Sequence, residues 1–284
     1  MTDRFQVSAT DGVPLAVYRA GDPAGPTVVA IHGYPDNATV WDPVVALLCE
    51  RFCVVSYDVR GAGRSGAPAG RAGYRLEQLE ADLDVVLQAV SPDRPVHLLA
   101  HDWGSIQGWQ GVAGSRLRGR IASYTSISGP GLAMAGRWMR SKLRPSGRDL
   151  ATLARQLGRS SYLVLFQVPG LAEWGWRSGL LDRLLGRSGR PDPGGLADRL
   201  HGLQLYRANR RPAGRPGPVD IPVLVLAPAG DPYVGVALQA EAPAPYVRDL
   251  RVRTVPGGHW IMRRHPEVVA QACAELVDEV EAAG

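Results

Sequence analysis

The stretch Leu98-Leu99-Ala100-His101-Asp102-Trp103-Gly104-Ser105 decides the fold. A buried strand runs into a helix through Asp102, with small residues, Ala100 and Gly104, two places to either side. A sharp strand-to-helix turn tolerates little side-chain bulk at those positions and pushes its central side chain out into a site. Here that side chain is a carboxylate. Attack of a carboxylate on an acyl carbon would give an anhydride, whereas attack on a strained or activated sp³ carbon gives an ordinary ester, so the plausible intermediate is an alkyl–enzyme ester. Taken alone, Asp102 is equally well explained as a helix N-cap.

Upstream of this turn, FQVSATDG and VPLAVYRAG read as a short antiparallel pair, and TVVAIHG and FCVVSYD as buried strands. VHLLAHD leads into the turn and RIASYTSISG follows it, with helix-like stretches around Val40–Glu50, Leu76–Val90 and Gly104–Ser115. Strands alternating with helices predict a largely parallel sheet covered on both faces. The alternation stops at Ser128–Gly131 and resumes at IPVLVLAPAGD from Ile221, followed by LRVRTVPGG and a closing amphipathic helix near Pro266–Ala282. The intervening stretch has helical patterns such as LATLARQL and GLADRLHGLQLYR, interrupted by SGRPDPGG. It is expected to be a helical cap over residues 131–216, inserted into a core of residues 1–130 and 217–284 and roofing the carboxyl edge of the sheet, where open parallel sheets bind ligands.

Two further strand ends complete the chemistry. GDPYV brings Asp231 and VPGGHW brings His259, giving the chain order nucleophile, acid, histidine. His259 would take a proton from water, and Asp231 would hold its imidazole in the required tautomer. His265, before a proline at a helix start, reads as a solvated turn residue. His97 lies inside a strand and His201 in the insertion. His101 adjoins the nucleophile but should point away from it by strand alternation, and reads as structural. HGYP at His32–Pro35 reads as an oxyanion-hole loop, with the backbone N–H groups of Tyr34 and Trp103 facing the charge that develops on the Asp102 carboxyl. DVRGAGRS at Asp58–Ser65 lacks the order of a phosphate loop and reads as a turn packed on HGYP.

These motifs resemble those of the epoxide hydrolases of the α/β-hydrolase superfamily, over nearly the whole chain. The resemblance implies the α/β-hydrolase fold, an aspartate nucleophile and two ring-opening tyrosines. SYLVLFQVPGLAE at Ser161–Glu173 places one on Tyr162, and GLQLYRANRR at Gly202–Arg211 places the other on Tyr206. The physical need for them is clear: ring opening leaves an alkoxide far more basic than a phenolate, and a phenol, with pKa near 10, stays protonated at neutral pH. The chain is also similar to the hydrolase region of actinobacterial proteins that join such a module to a short-chain dehydrogenase, and since it ends at Gly284 that second domain is expected to be absent. Tyr34 departs from the Phe or Trp common in HGxP, and Ser105 stands where glycine is frequent.

The expected reaction is conversion of an epoxide to a vicinal diol with water as co-substrate and with no cofactor or metal. Rival readings are a haloalkane dehalogenase and a non-catalytic hydrolase-fold binding protein. The first shares an elbow Asp followed by Trp but commonly has Asn in the place of Tyr34, and the second usually loses a member of the triad. Trp103, Trp174 and Trp176 are candidate substrate contacts that would line a roomy aromatic pocket, and with Trp138 they serve equally well as cap core.

Composition bounds the rest. Of 284 residues 45% are hydrophobic and 21% charged, the range of a folded globular chain. Cys49, Cys53 and Cys273 lie outside any CxxC spacing and read as free thiols. No basic run interleaved with aromatics suggests a nucleic-acid partner. Neither a leader-like N-terminus nor a membrane-spanning run is evident, so a cytoplasmic protein without a membrane partner is expected. Oligomeric state is not readable, and a homodimer is one assembly the reading admits. Lys142 is the only lysine among 32 basic residues, which points to a GC-rich source and is compatible with tailoring of a polyketide-like metabolite. Residues 131–216 hold sixteen basic against five acidic residues, a formal +11 that leaves −6 for the remainder of a +5 chain. That is either a solvated Arg-rich surface or a device for recognising an anionic substrate or carrier.

Overall fold

A computed structural model of the chain describes residues 3–143, 146–186, 195–210 and 214–283. Eight strands form one sheet: β1 Asp3–Ser8, β2 Pro14–Ala20, β3 Thr27–Ile31, β4 Cys53–Tyr57, β5 Val96–His101, β6 Ile121–Ile127, β7 Val223–Pro228 and β8 Leu250–Val255. Their spatial order is β1-β2-β4-β3-β5-β6-β7-β8. β1 and β2 pair antiparallel with each other, β2 joins β4 antiparallel, and every later pairing is parallel.

The apolar runs are continuous because both faces of the sheet are covered. On β3, Val29 and Ile31 enter one core with Leu98 and Ala100 of β5, while Val28 and Ala30 enter the other with Leu99. Around the sheet lie α1 Asp42–Leu48, α2 Leu76–Val90 and α3 Trp103–Ala113. The helix read over Val40–Glu50 is split: a 3₁₀ turn at Ala38–Trp41, capped by the Asn37 side chain, hands over to α1, where Pro43 occupies the first turn. Cys49, Cys53 and Cys273 are free thiols.

Between β6 and β7 the described residues form six helices and no strand: α4 Leu132–Ser141, α5 Gly147–Arg159, α6 Tyr162–Gln167, α7 Leu171–Arg177, α8 Leu180–Gly186 and α9 Leu196–Ala208. The SGRPDPGG interruption, apart from Gly195, lies outside the described residues, as does Arg211. The chain closes through α10 Val236–Glu241, α11 Ile261–Arg264 and α12 Pro266–Ala283. α12 begins at Pro266 and buries Val269, Ala272, Cys273 and Leu276 at helical spacing against the second core. Among the described residues no helix is long and apolar enough to cross a membrane.

Candidate active site

Asp102 sits in the bend between β5 and α3 with φ 51° and ψ −120°, a conformation rare for a residue with a side chain. The surroundings leave no alternative to small neighbours. A Cβ on Gly104 would stand 2.2 Å from the Ile31 carbonyl oxygen, and one on Gly129 2.2 Å from that of Asp102. Ser105, where glycine is frequent, fits because its hydroxyl donates to the Gly129 carbonyl at 2.6 Å and meets Tyr124 and Ser126.

The HGYP loop closes over the nucleophile. Tyr34 N–H donates to Asp102 Oδ1 at 2.8 Å, and Trp103 N–H also bonds the carboxyl. The loop is fixed from below, since Val59 N–H donates to His32 Nε2 at 2.9 Å. That bond makes Nε2 the acceptor, so Nδ1 carries the proton and donates to the Gly33 carbonyl. In the DVRGAGRS turn Asp58 accepts from the backbone of Ala38 and Arg64 and from Tyr18. This network joins the turn to the loop, and the turn has the structural place its sequence indicates.

His259 and Asp231 reach the same point from the ends of β8 and β7. His259 Nδ1 lies 3.0 Å from Asp231 Oδ2, and His259 Nε2 lies 3.8 Å from Asp102 Oδ2. Asp231 Oδ1 accepts from Tyr233 and Val234 N–H. Burial works to raise the Asp231 pKa, but the charge of His259 and these hydrogen bonds outweigh it and hold the carboxyl below its ordinary value. For His259 burial works downward, and the charges of Asp231 and Asp102 outweigh it, leaving the imidazole raised. Asp102 is different. Desolvation dominates over His259 and the two backbone donors, and its pKa is pushed up to about 6.

The insertion supplies the opposite wall. Tyr162 opens α6 and Tyr206 lies on α9; their ring centroids are 6.3 Å apart, and both meet Phe166 edge-on. Both phenols are held in the protonated form, by burial first and then by neighbouring groups that include the Asp102 carboxylate. Tyr34, Pro35, Asp102, Tyr162, Phe166, Tyr206, Tyr233, His259 and Trp260 enclose a cavity of about 30 Å³. That is room for roughly one or two waters, far below ligand-sized pockets.

Of the tryptophans expected at the substrate, Trp174 and Trp176 are placed elsewhere, and the cavity that the described residues form at Asp102 is small rather than roomy. Trp174 is 58% exposed, and Trp176 is buried behind the Tyr34 ring. Two residues apart on α7 they point about 200° from each other, so they cannot share one wall. Trp138 is buried with its indole N–H on Glu241. Trp103 backs the site, with its ring 5.0 Å from Tyr206. The walls are instead Phe166, one helical turn after Tyr162, and Tyr233 and Trp260, which stand inside the GDPYV and GGHW motifs next to the residues that draw the eye. His101 is fully buried, and its ring lies 4.5 Å from that of His259. Alternation sends it to the sheet face where the His259–Met262 segment packs. His265 and His201 are exposed outside the site, and His97 is tied to Ser123 and Glu281.

Comparisons with known proteins bear on the fold that carries this geometry. The profile of the alpha/beta hydrolase fold matches residues 26–266. The probable oxidoreductase EphD of Mycobacterium tuberculosis is 38% identical over 96% of this chain and 49% of its own length, so the chain spans about half of that relative. Epoxide hydrolase A of the same organism is 26% identical over 96% of each protein. Among solved structures, a single-residue mutant of an epoxide hydrolase from Bacillus megaterium, complexed with its product, a naphthyloxy-propane-diol, has a TM-score of 0.78. It is 21% identical, over 96% of this chain and 100% of that one, a likeness of fold.

Proposed function

Because the chain belongs to the α/β hydrolase fold family, we propose that it is an epoxide hydrolase that makes a vicinal diol through an ester on Asp102. The observation that carries this reading is the pairing of Tyr162 and Tyr206, from the inserted helices, with the Asp102 carboxylate in one cavity. Asp102 Oδ1 is held by Tyr34 N–H, which leaves Oδ2 to attack a ring carbon. As the new carbon–oxygen bond forms, the ring carbon–oxygen bond breaks and its electron pair goes to the departing oxygen. That oxygen is on the far side of the carbon, where Tyr162 and Tyr206 donate hydrogen bonds and a proton.

In the second step His259 takes a proton from water, and the oxygen of that water adds to the ester carbonyl carbon. The resulting oxyanion sits against the N–H groups of Tyr34 and Trp103. Collapse breaks the acyl–oxygen bond, the His259 imidazolium gives its proton to the leaving alkoxide oxygen, and the proton of the Asp102 carboxyl so formed returns to the tyrosine phenolate, which restores the enzyme and releases the diol. Esterification removes the Asp102 charge, one of the three carboxylate charges, with Asp231 and Asp36, that raise His259. The imidazole therefore becomes easier to hold neutral when a base is needed. Residues 131–216 act as the cap, and the small volume of the site requires the cap to move for a substrate to enter.

A dehalogenase is less well supported, because the Tyr34 hydroxyl donates to the Arg199 carbonyl in α9 at 2.9 Å and offers no side-chain donor for a halide. Incubation of the protein with styrene-oxide-like, aliphatic and polycyclic epoxides, and with haloalkanes, tests the assignment. Diol formed by the wild type and not by Asp102→Ala is the expected result. Halide release without diol, or no turnover of any epoxide, contradicts it.

A further inference from the structure

Ten of the twelve large apolar side chains exposed among the described residues lie between Leu143 and Leu196, in the inserted helices. Six of them fall on one layer. α6, α7 and α8 pack in series, with α6 and α7 laid on α9. Val164, Val168, Leu171, Trp174, Leu180 and Leu184 of this layer are exposed, and they follow one another in pairs three or four residues apart. Val164 is 71% exposed, and Leu184, the farthest along the chain, is 50% exposed. Six exposed apolar side chains on three packed helices mark an interaction surface.

Charge identifies the cover. The two acids of the layer are engaged toward α9: Glu173 with Arg207 and Asp182 with Arg199. Arg207 also donates to the Phe166 and Val168 carbonyls and so ties α6, α7 and α9 together from inside. The exposed charges that stand beside the apolar residues are Arg177 and Arg183. The sequence of the whole insertion is +11, against −6 for the remainder of the chain. A second copy docking by the same face would bring the arginines of both copies into one interface, with the acids of the layer already engaged by Arg199 and Arg207. Apolar side chains with a tryptophan, flanked by arginines and with the acids turned inward, match the interface of an anionic bilayer.

We propose that the outer face of α6–α8 docks peripherally on anionic lipid membranes, with Trp174 and Val164 entering the headgroup region. The absence of a spanning run from the sequence, the ground for expecting no membrane partner, does not bear on such docking. If the epoxide reading also holds, the arrangement favours substrates that partition into the bilayer, because α6 carries Val164 outside and Tyr162 and Phe166 on the cavity. The docking itself does not depend on that reading.

The test is co-sedimentation of the full chain with phosphatidylcholine vesicles, with and without about one third phosphatidylglycerol, at low and high salt. Partition at least roughly tenfold stronger to the anionic vesicles is expected. Arg177→Glu with Arg183→Glu should remove that preference, and Trp174→Ser with Val164→Ser should weaken binding by roughly tenfold. These side chains are outside the core, so all variants should keep the wild-type circular dichroism and melting temperature. Equal binding to neutral and anionic vesicles overturns the proposal, as does binding that the Trp174/Val164 variant leaves unchanged. A concentration-dependent dimer that both variants dissociate, without vesicle binding, assigns the face to a second copy and also overturns it.

Discussion

The two walls of the site are built on opposite principles. The sheet wall holds charge: Asp102, Asp231 and His259 stand on turns at the ends of β5, β7 and β8, Asp102 in a strained backbone, Asp231 held by the N–H groups two and three residues on, and His259 held by Asp231. The inserted wall holds neutral rings: Tyr162, Phe166 and Tyr206 are fixed by edge-to-face packing at 5.0–6.3 Å. The wall that carries charge stands on the sheet, and the wall that carries neutral rings stands on the inserted helices. On the proposed mechanism the sheet wall makes and hydrolyses the ester, while the inserted wall acts only when the ring opens.

The largest expected effect breaks the two steps apart. His259→Gln should alkylate Asp102 and fail to release product, with steady-state turnover down by roughly 10⁴-fold. Intact mass should then equal enzyme plus one substrate. Normal turnover by this variant would move the base elsewhere. The inserted wall should behave in the opposite way: Tyr162→Phe and Tyr206→Phe should each slow alkylation by roughly 10²–10³-fold, without ester accumulating, and the double variant should be nearly inert. Rapid-quench mass spectrometry reads this directly, and alkylation by the double variant at the wild-type rate would reduce both tyrosines to packing residues.

That contrast also explains what can be read in the sequence. Turns require particular residues at particular offsets, so HGYP, HDWGS, GDPYV and GGHW reveal the sheet wall, down to the small residues around Asp102. Packing faces on helices have no such local signature. Tyr162 and Tyr206 are identifiable by resemblance, whereas Trp174 and Trp176, the most conspicuous aromatics of the insertion, fall outside the cavity, and nothing around Phe166 singles it out. Tyr233 and Trp260 are within the motifs, but a motif names the groups that react and not those that wall them in. The contact of His101 with His259 depends on which sheet face the β8–α11 segment covers, and alternation alone does not say.

A smaller effect concerns pH, and it divides the sheet wall itself. Alkylation needs Asp102 ionised and should fall about tenfold per unit below about pH 6. Ester hydrolysis needs His259 neutral, and Asp231 still works to raise that imidazole once the Asp102 charge is lost, so hydrolysis slows as pH falls. Ester should therefore accumulate near about pH 6 and not near about pH 8, as judged by quenched samples across the range. Equal ester levels at both would mean that Asp231 does not hold His259 protonated.

The smallest effect is on stability. The folded-state pKa of Asp102, about 6, lies above its ordinary value of 3.8. Its contribution to stability is thus fully present below the unfolded value and is lost as pH rises through about 6. At about pH 8 the buried charge is destabilising, and Asp102→Asn should stabilise the fold by about 1–3 kcal/mol in denaturant unfolding, with the gain vanishing near about pH 4. No gain at the higher pH would mean that the two backbone donors and His259 fully compensate the desolvation.

The central claim, a covalent ester on Asp102, is tested most directly by one turnover of excess enzyme with epoxide in ¹⁸O water. Water adds to the ester carbonyl carbon, so the first diol should carry no solvent oxygen, and the peptide containing Asp102 should gain one ¹⁸O. Labelled diol in the first turnover with an unlabelled Asp102 would mean that water attacks the ring directly, and the covalent account would be wrong.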